Sequence, residues 1–110
     1  MRRLFRQFTA FVRRCGPVTV IPQKSRVVFL RRVRFISVYP RRDHFVAGIV
    51  LTERRRHPRL IRVERFGRAH VHSLRLGSAE EFDAGLLALI RESRRRYGEQ
   101  GDLRRRARAP

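Results

Sequence analysis

Acidic residues are scarce in this chain, and none occurs before Asp43: 9 Asp and Glu stand against 28 Lys and Arg in 110 residues, for a formal charge of +19. A surface of that sign favours an anionic partner, whether a nucleic acid, another polyanion or an acidic protein. Lysine is nearly absent, since Lys24 is the only one beside 27 arginines. Such a ratio reflects GC-rich coding in part, so the arginine bias carries less meaning than the charge. Cysteine is limited to Cys15, which excludes an intramolecular disulfide or a thiolate metal cage and points to a reducing, cytoplasmic setting. No apolar run approaches the roughly 18 residues of a membrane helix, because arginine interrupts every one. Also missing are a carboxylate pair of hydrolase type, a Gly-rich phosphate loop, and the helix-turn-helix, zinc-finger and basic-zipper patterns.

What is present suffices for a core. Hydrophobic residues make up 42 % of the chain and include eight Phe, so residues 1–98 are expected to form one compact domain, followed by a flexible basic tail over 99–110. Leu4, Phe5, Phe8, Phe11, Val12 and Cys15 recur at helical spacing, with arginines on the remaining faces, and Gly16-Pro17 stops the helix. The amphipathic, acid-free start shares features with organellar transit peptides but reads better as the first helix of the domain. Val18 to Ile21 is short and extended. Strands are predicted at Val27–Leu30, Arg34–Tyr39, Phe45–Leu51, Leu60–Phe66 and Ala69–Leu76. Phe45–Leu51 is apolar on both faces, as suits a central strand. Ser78 and Glu81 form a capping box for a second helix running to Gly98, with Phe82, Leu86, Leu89, Ile90 and Tyr97 inward. The expected fold class is α+β: an N-terminal helix, a five-stranded antiparallel meander sheet, and a C-terminal helix, both helices packed on one face.

In a meander, alternate turns share an end of the sheet. Arg31, Arg32 and Arg34 of the first turn are therefore expected to converge with Arg54, Arg55 and Arg56 of the third. Arg41 and Arg42 of the second turn would gather at the opposite end with Lys24, Arg26, Arg65 and Arg68. Residues 77–97 contribute nothing to the net charge, because four arginines face four acids there. Guanidinium forks hold phosphate bidentately, and a row of them displaces counterions from a polyanion, so these turns are the expected polyanion-binding residues.

The strings Gly16-Pro-Val-Thr-Val-Ile-Pro-Gln-Lys24-Ser-Arg26, Arg34-Phe-Ile-Ser-Val-Tyr-Pro-Arg-Arg42, His57-Pro-Arg59, His70-Val-His-Ser-Leu-Arg-Leu76 and Glu80-Glu-Phe-Asp83 together resemble the bacterial "domain of unknown function 5655" family. The resemblance spans roughly residues 4 to 97. It implies a compact α+β domain that includes the N-terminal helix, and it brings no assigned activity. Similarity of layout to small helix, sheet, helix domains described as DNA-binding is an analogy of fold and transfers no function.

His70 and His72 lie two apart on a strand and so point the same way, a pattern that can begin a metal site. Leu74 and Leu76 continue that face, as on a strand packed against a helix. No second cysteine or neighbouring carboxylate completes a ligand set, so neither a metal nor a cofactor is expected. A candidate pocket for an anionic ligand combines Lys24, His70, His72 and Arg75, joined by Tyr39 and His44 from neighbouring strands. Phe35, Tyr39 and Phe45 suit either base stacking or the core, and Asp43 suits a turn cap or an arginine partner. Two functions remain. One is a non-enzymatic binding module whose arginine-rich turns contact DNA or RNA without strong sequence preference. The alternative is a ligand-binding or catalytic accessory domain with a Lys/His/Arg-lined pocket for an anionic small molecule.

Overall fold

A computed structural model describes residues 2–100; of the tail expected over 99–110, residues 101–110 lie outside them, while Glu99 pairs with Arg94 and Gln100 bonds to the Arg95 carbonyl. Helix α1 covers Arg2–Arg13 and buries Phe8, Phe11 and Val12, the residues that its three- and four-residue spacing aligns. It ends at Gly16, whose φ of +128° favours glycine. Six strands follow: β1 (Thr19–Pro22), β2 (Val27–Leu30), β3 (Arg34–Pro40), β4 (Phe45–Leu51), β5 (Leu60–Phe66) and β6 (Ala69–Leu76). The sheet is antiparallel with order β1-β2-β3-β4-β6-β5.

Two corrections to the expected meander follow. The short extended stretch after α1 is a sixth strand, because all four of its residues pair with β2. The order also breaks after β4, whose partner is β6 and not β5. Since β6 lies antiparallel between them, β4 and β5 run in the same direction, and the connection 52–59 must run back along the sheet. Leu51 pairs with His70 and Leu60 with Leu74, so the ends of this strap are roughly 17 Å apart while eight residues reach about 28 Å, which leaves slack for its bends and turn. The β5–β6 link, by contrast, is the two-residue turn Gly67-Arg68, with Gly67 at φ +61°.

Both helices lie on one face. There Phe29, Ile36, Phe45, Ala47, Ile49, Leu51, Leu74 and Leu76 meet α1 and helix α2 (Ala84–Ser93) in a single core. Phe8 sets its ring edge against Phe29 and Phe45, with centroids 5.8 and 5.0 Å apart, and Phe82 closes over Phe8 and Phe11. The single second helix expected from Ser78 is three pieces. The capping box is formed, Ser78 Oγ accepting from the Glu80 N–H at 3.1 Å and Glu81 Oε1 from the Ser78 N–H at 3.1 Å, but it caps only a 3₁₀ turn over Ala79–Glu81. Asp83 then caps α2 itself, accepting from the Leu86 N–H at 2.9 Å. A π turn, Arg94–Gly98, ends the element. It wraps the Arg34 end of the sheet, where the Gly98 carbonyl accepts from the Arg32 and Val33 N–H groups.

Among the described residues no helix is long and apolar enough to cross a membrane.

Candidate functional site

Among the described residues, no helix covers the sheet face opposite α1 and α2. Register places Val46, Gly48 and Val50 of β4 on it, between Ser37 and Tyr39 of β3 and Val71, Ser73 and Arg75 of β6. All of these but Arg75 line a hollow of about 840 Å³. Its floor is apolar because β4 is apolar on both sides, while helices cover only one side. Gly48 keeps the middle low, since a Cβ there would stand 3.3 Å from a Val71 methyl.

Arginines rim the hollow from both ends of the sheet: Arg32 and Arg34 at one, Arg26 and Arg41 at the other, with Arg62 on the β5 side. Tyr39, Phe66 and Tyr97 supply aromatic rings, and Phe66 is 62 % exposed. The Tyr39 hydroxyl accepts from the Arg26 guanidinium at 3.2 Å, while Gln23 accepts from the same side chain at 2.7 Å. Glu64 is the acid of the lining, and it pairs with Arg62 at 3.1 Å. Among the described residues, Arg32, Arg34 and Arg41 have no carboxylate within ion-pair distance. Their charge is available to a ligand.

The strap separates the arginine groups that a meander would have joined. Arg54, Arg55 and Arg56 lie along the helix-bearing side instead of beside Arg31, Arg32 and Arg34. Arg55 is spent on structure: its N–H donates to His72 Nε2 at 2.9 Å, and its guanidinium pairs with Glu92 at 3.0 Å and Glu53 at 3.3 Å. Arg59 holds the far end of the strap to Glu81 at 2.9 Å. Reversal of the expected grouping also brings Arg65 and Arg68 to the Arg34 end, because the Gly67-Arg68 turn pairs Phe66 with Ala69 there. Arg41, Arg42, Lys24 and Arg26 do share the opposite end. Of these, Arg42 and Lys24 are exposed in turns and do not line the hollow, nor does Arg31.

The candidate pocket is not assembled as one cavity. Tyr39 lines the hollow and Arg75 shares its face, whereas His70 and His72 point to the helix side, opposite Leu51 and Ile49. His72 is 1 % exposed. Its Nε2 accepts from Arg55 and its Nδ1–H donates to the His70 carbonyl at 3.1 Å, an arrangement that requires the neutral ring. Burial first of all holds its pKa below the ordinary value, and the same cause lowers that of His57 on the strap. His44 pairs with Asp43 at 2.7 Å, so Asp43 meets a histidine and not an arginine. That hydrogen bond, before all else, lowers the Asp43 pKa. Cys15 is half-buried against α2, and desolvation raises its thiol pKa. Among the described residues no group of three His, Cys, Asp or Glu is placed to hold a metal ion.

One protein family matches the chain, over residues 1–94, and it is described as a domain of unknown function, DUF5655. The chain belongs to the DUF5655 family. Searches of curated proteins and of solved structures found no match. Membership thus covers both helices and the whole sheet, and for this DUF5655 domain the hollow's geometry has to carry the functional argument.

Sequence reasoning missed Arg26, Arg62, Phe66 and Tyr97 as members of one surface. The usable signal was in β4: outward residues as apolar as Val46 and Val50, with both helices committed to the other side, leave an apolar floor to be filled.

Proposed function

We propose that this domain is a non-enzymatic binding module whose open sheet face holds a strand of DNA or RNA, without strong sequence preference. The observation that carries the reading is the hollow itself, an apolar and aromatic floor rimmed by Arg32, Arg34 and Arg41, which have no acidic partner among the described residues. Bases have π faces that rest on Tyr39 and Phe66, while phosphates meet guanidinium groups at both ends of the sheet. A duplex keeps its bases stacked inside and makes no use of such a floor, so an unpaired strand is the better fit. The four carboxylates of residues 77–97 lie away from that face, on the helix side. Mobility-shift titration with single-stranded and duplex probes tests the reading: binding that persists at about 100 mM salt and favours the single strand is expected, and absence of binding to every probe there ends it.

The volume of the hollow supports a second reading, an anionic small molecule, since ligand sites occupy roughly 300–1,000 Å³. Thermal stabilisation by a nucleotide or anionic metabolite, lost in Tyr39→Ala while polymer binding is weak, would put this reading first.

A further inference from the structure

The two edges of the sheet differ. β1 has four residues and ends in Pro22, features that blunt an edge. β5 has seven residues, no proline, an irregularity between Leu60 and Arg62, and one side of its backbone ladder unpaired over the regular stretch 62–66. Of the exposed large hydrophobic side chains, Ile61 and Phe66 are the two most accessible, at 54 % and 62 %, and both stand on β5. An unpaired edge with outward-facing N–H and C=O groups is a template for another strand.

The sequence of β5 also specifies which strand. Pairing β5 antiparallel with a second β5 about Val63 sets Arg62 of each chain opposite Glu64 of the other and the two Val63 residues face to face, all within the regular stretch that follows the irregularity between Leu60 and Arg62. Centring on Arg62 or on Glu64 instead sets like charges face to face, which disfavours those registers. Within one chain Arg62 and Glu64 pair at 3.1 Å while 68 % and 61 % exposed, so they are free to exchange partners. We propose that β5 is a dimerisation edge that receives β5 of a second copy of this chain, centred on Val63.

The dyad of such a pairing stands perpendicular to the sheet, so twelve strands, six from each copy, share one continuous open face. Both hollows then lie on the same side, with the Arg62–Glu64 pairs at the seam. Two chains of +19 repel at long range, and salt screens that repulsion more than it weakens ion pairs in contact. The pairing uses Arg62 and Glu64, which also line the hollow, so it is tested on protein without a ligand.

Sedimentation velocity at about 0.3 M salt and about 0.2 mM protein tests it. The wild-type chain is expected to sediment at twice its 13.1 kDa mass. Glu64→Arg should weaken the dimer about tenfold or more, and Val63→Lys, which sets like charges face to face at the centre, should also weaken it. The double exchange Arg62→Glu/Glu64→Arg restores opposite charges across the seam and should return the dimer to within about threefold of wild type. Circular dichroism of each variant confirms the fold. A monomeric wild type, a dimer indifferent to Glu64→Arg, or a folded double exchange that stays monomeric would overturn the proposal.

Discussion

One sheet presents two unlike faces. On the helix side, Phe29, Phe45, Ile49 and Leu74 are closed off, the strap is pinned to His72, and arginines such as Arg55 and Arg94 are consumed by carboxylates and carbonyls. On the open side, among the described residues, the floor is apolar without a lid, and Arg32, Arg34 and Arg41 have no acidic partner. Arg55 and Arg94 are therefore structural, whereas those three have no carboxylate partner among the described residues. The same residue type carries different meaning according to which side of β3, β4 and β6 it reaches.

If that division is right, the largest loss of stability comes from the closed side. Phe45→Ala removes a ring packed against Phe8 and Phe82 and should cost about 3–5 kcal/mol in denaturant unfolding, whereas Val46→Ala, next along the strand but facing out, should cost about 1 kcal/mol. A similar cost for both would erase the distinction between the faces. Gly98→Ala comes next, because a Cβ there would stand 2.7 Å from the buried Phe35 ring; about 1–3 kcal/mol is expected from thermal or chemical unfolding.

A pH series sharpens the comparison further. His72 and His57 have folded-state pKa values below the ordinary histidine value, so the unfolded chain binds protons more readily. Their contribution is complete above about pH 6.5 and is lost as pH falls through the lowered folded-state values. Unfolding midpoints should therefore drop from pH 7 to pH 5, and His72→Ala should flatten that acid limb while lowering stability throughout. Smallest of all should be the effect of reversing exposed open-face arginines: Arg32→Glu or Arg34→Glu is expected to shift stability by no more than about 0.5 kcal/mol.

Strand positions were legible because each has a compact β-branched or aromatic run, and β2, β4, β5 and β6 begin and end where such runs do. β1 was only half legible: four residues ending in Pro22 have no period of their own, and pairing with β2 makes them a strand. The strap was illegible as such. Thr52 to Arg59 has the composition of a turn, and only the long-range pairing of β4 with β6 turns it into a crossover. Two cap signals, Ser78 and Asp83, compete near the second helix, and the later one wins because the 3₁₀ turn ends at Phe82. The inward direction of His70 and His72 could be read from their alternation with Leu74 and Leu76. The hollow could not, since its rim draws on strands and turns far apart in sequence.

Binding of a labelled single-stranded oligonucleotide across a salt series, compared between two triple variants of equal charge change, tests the account most directly. Arg32→Glu/Arg34→Glu/Arg41→Glu strips the open face, and Arg6→Glu/Arg13→Glu/Arg54→Glu strips the helix side, both sets being exposed in the main. The open-face triple should lose about a hundredfold in affinity, and its salt slope should fall by about 2–3; the helix-side triple should stay within about threefold of wild type. Equal losses in the two triples would mean that only net charge matters, and would contradict a binding role for the open face.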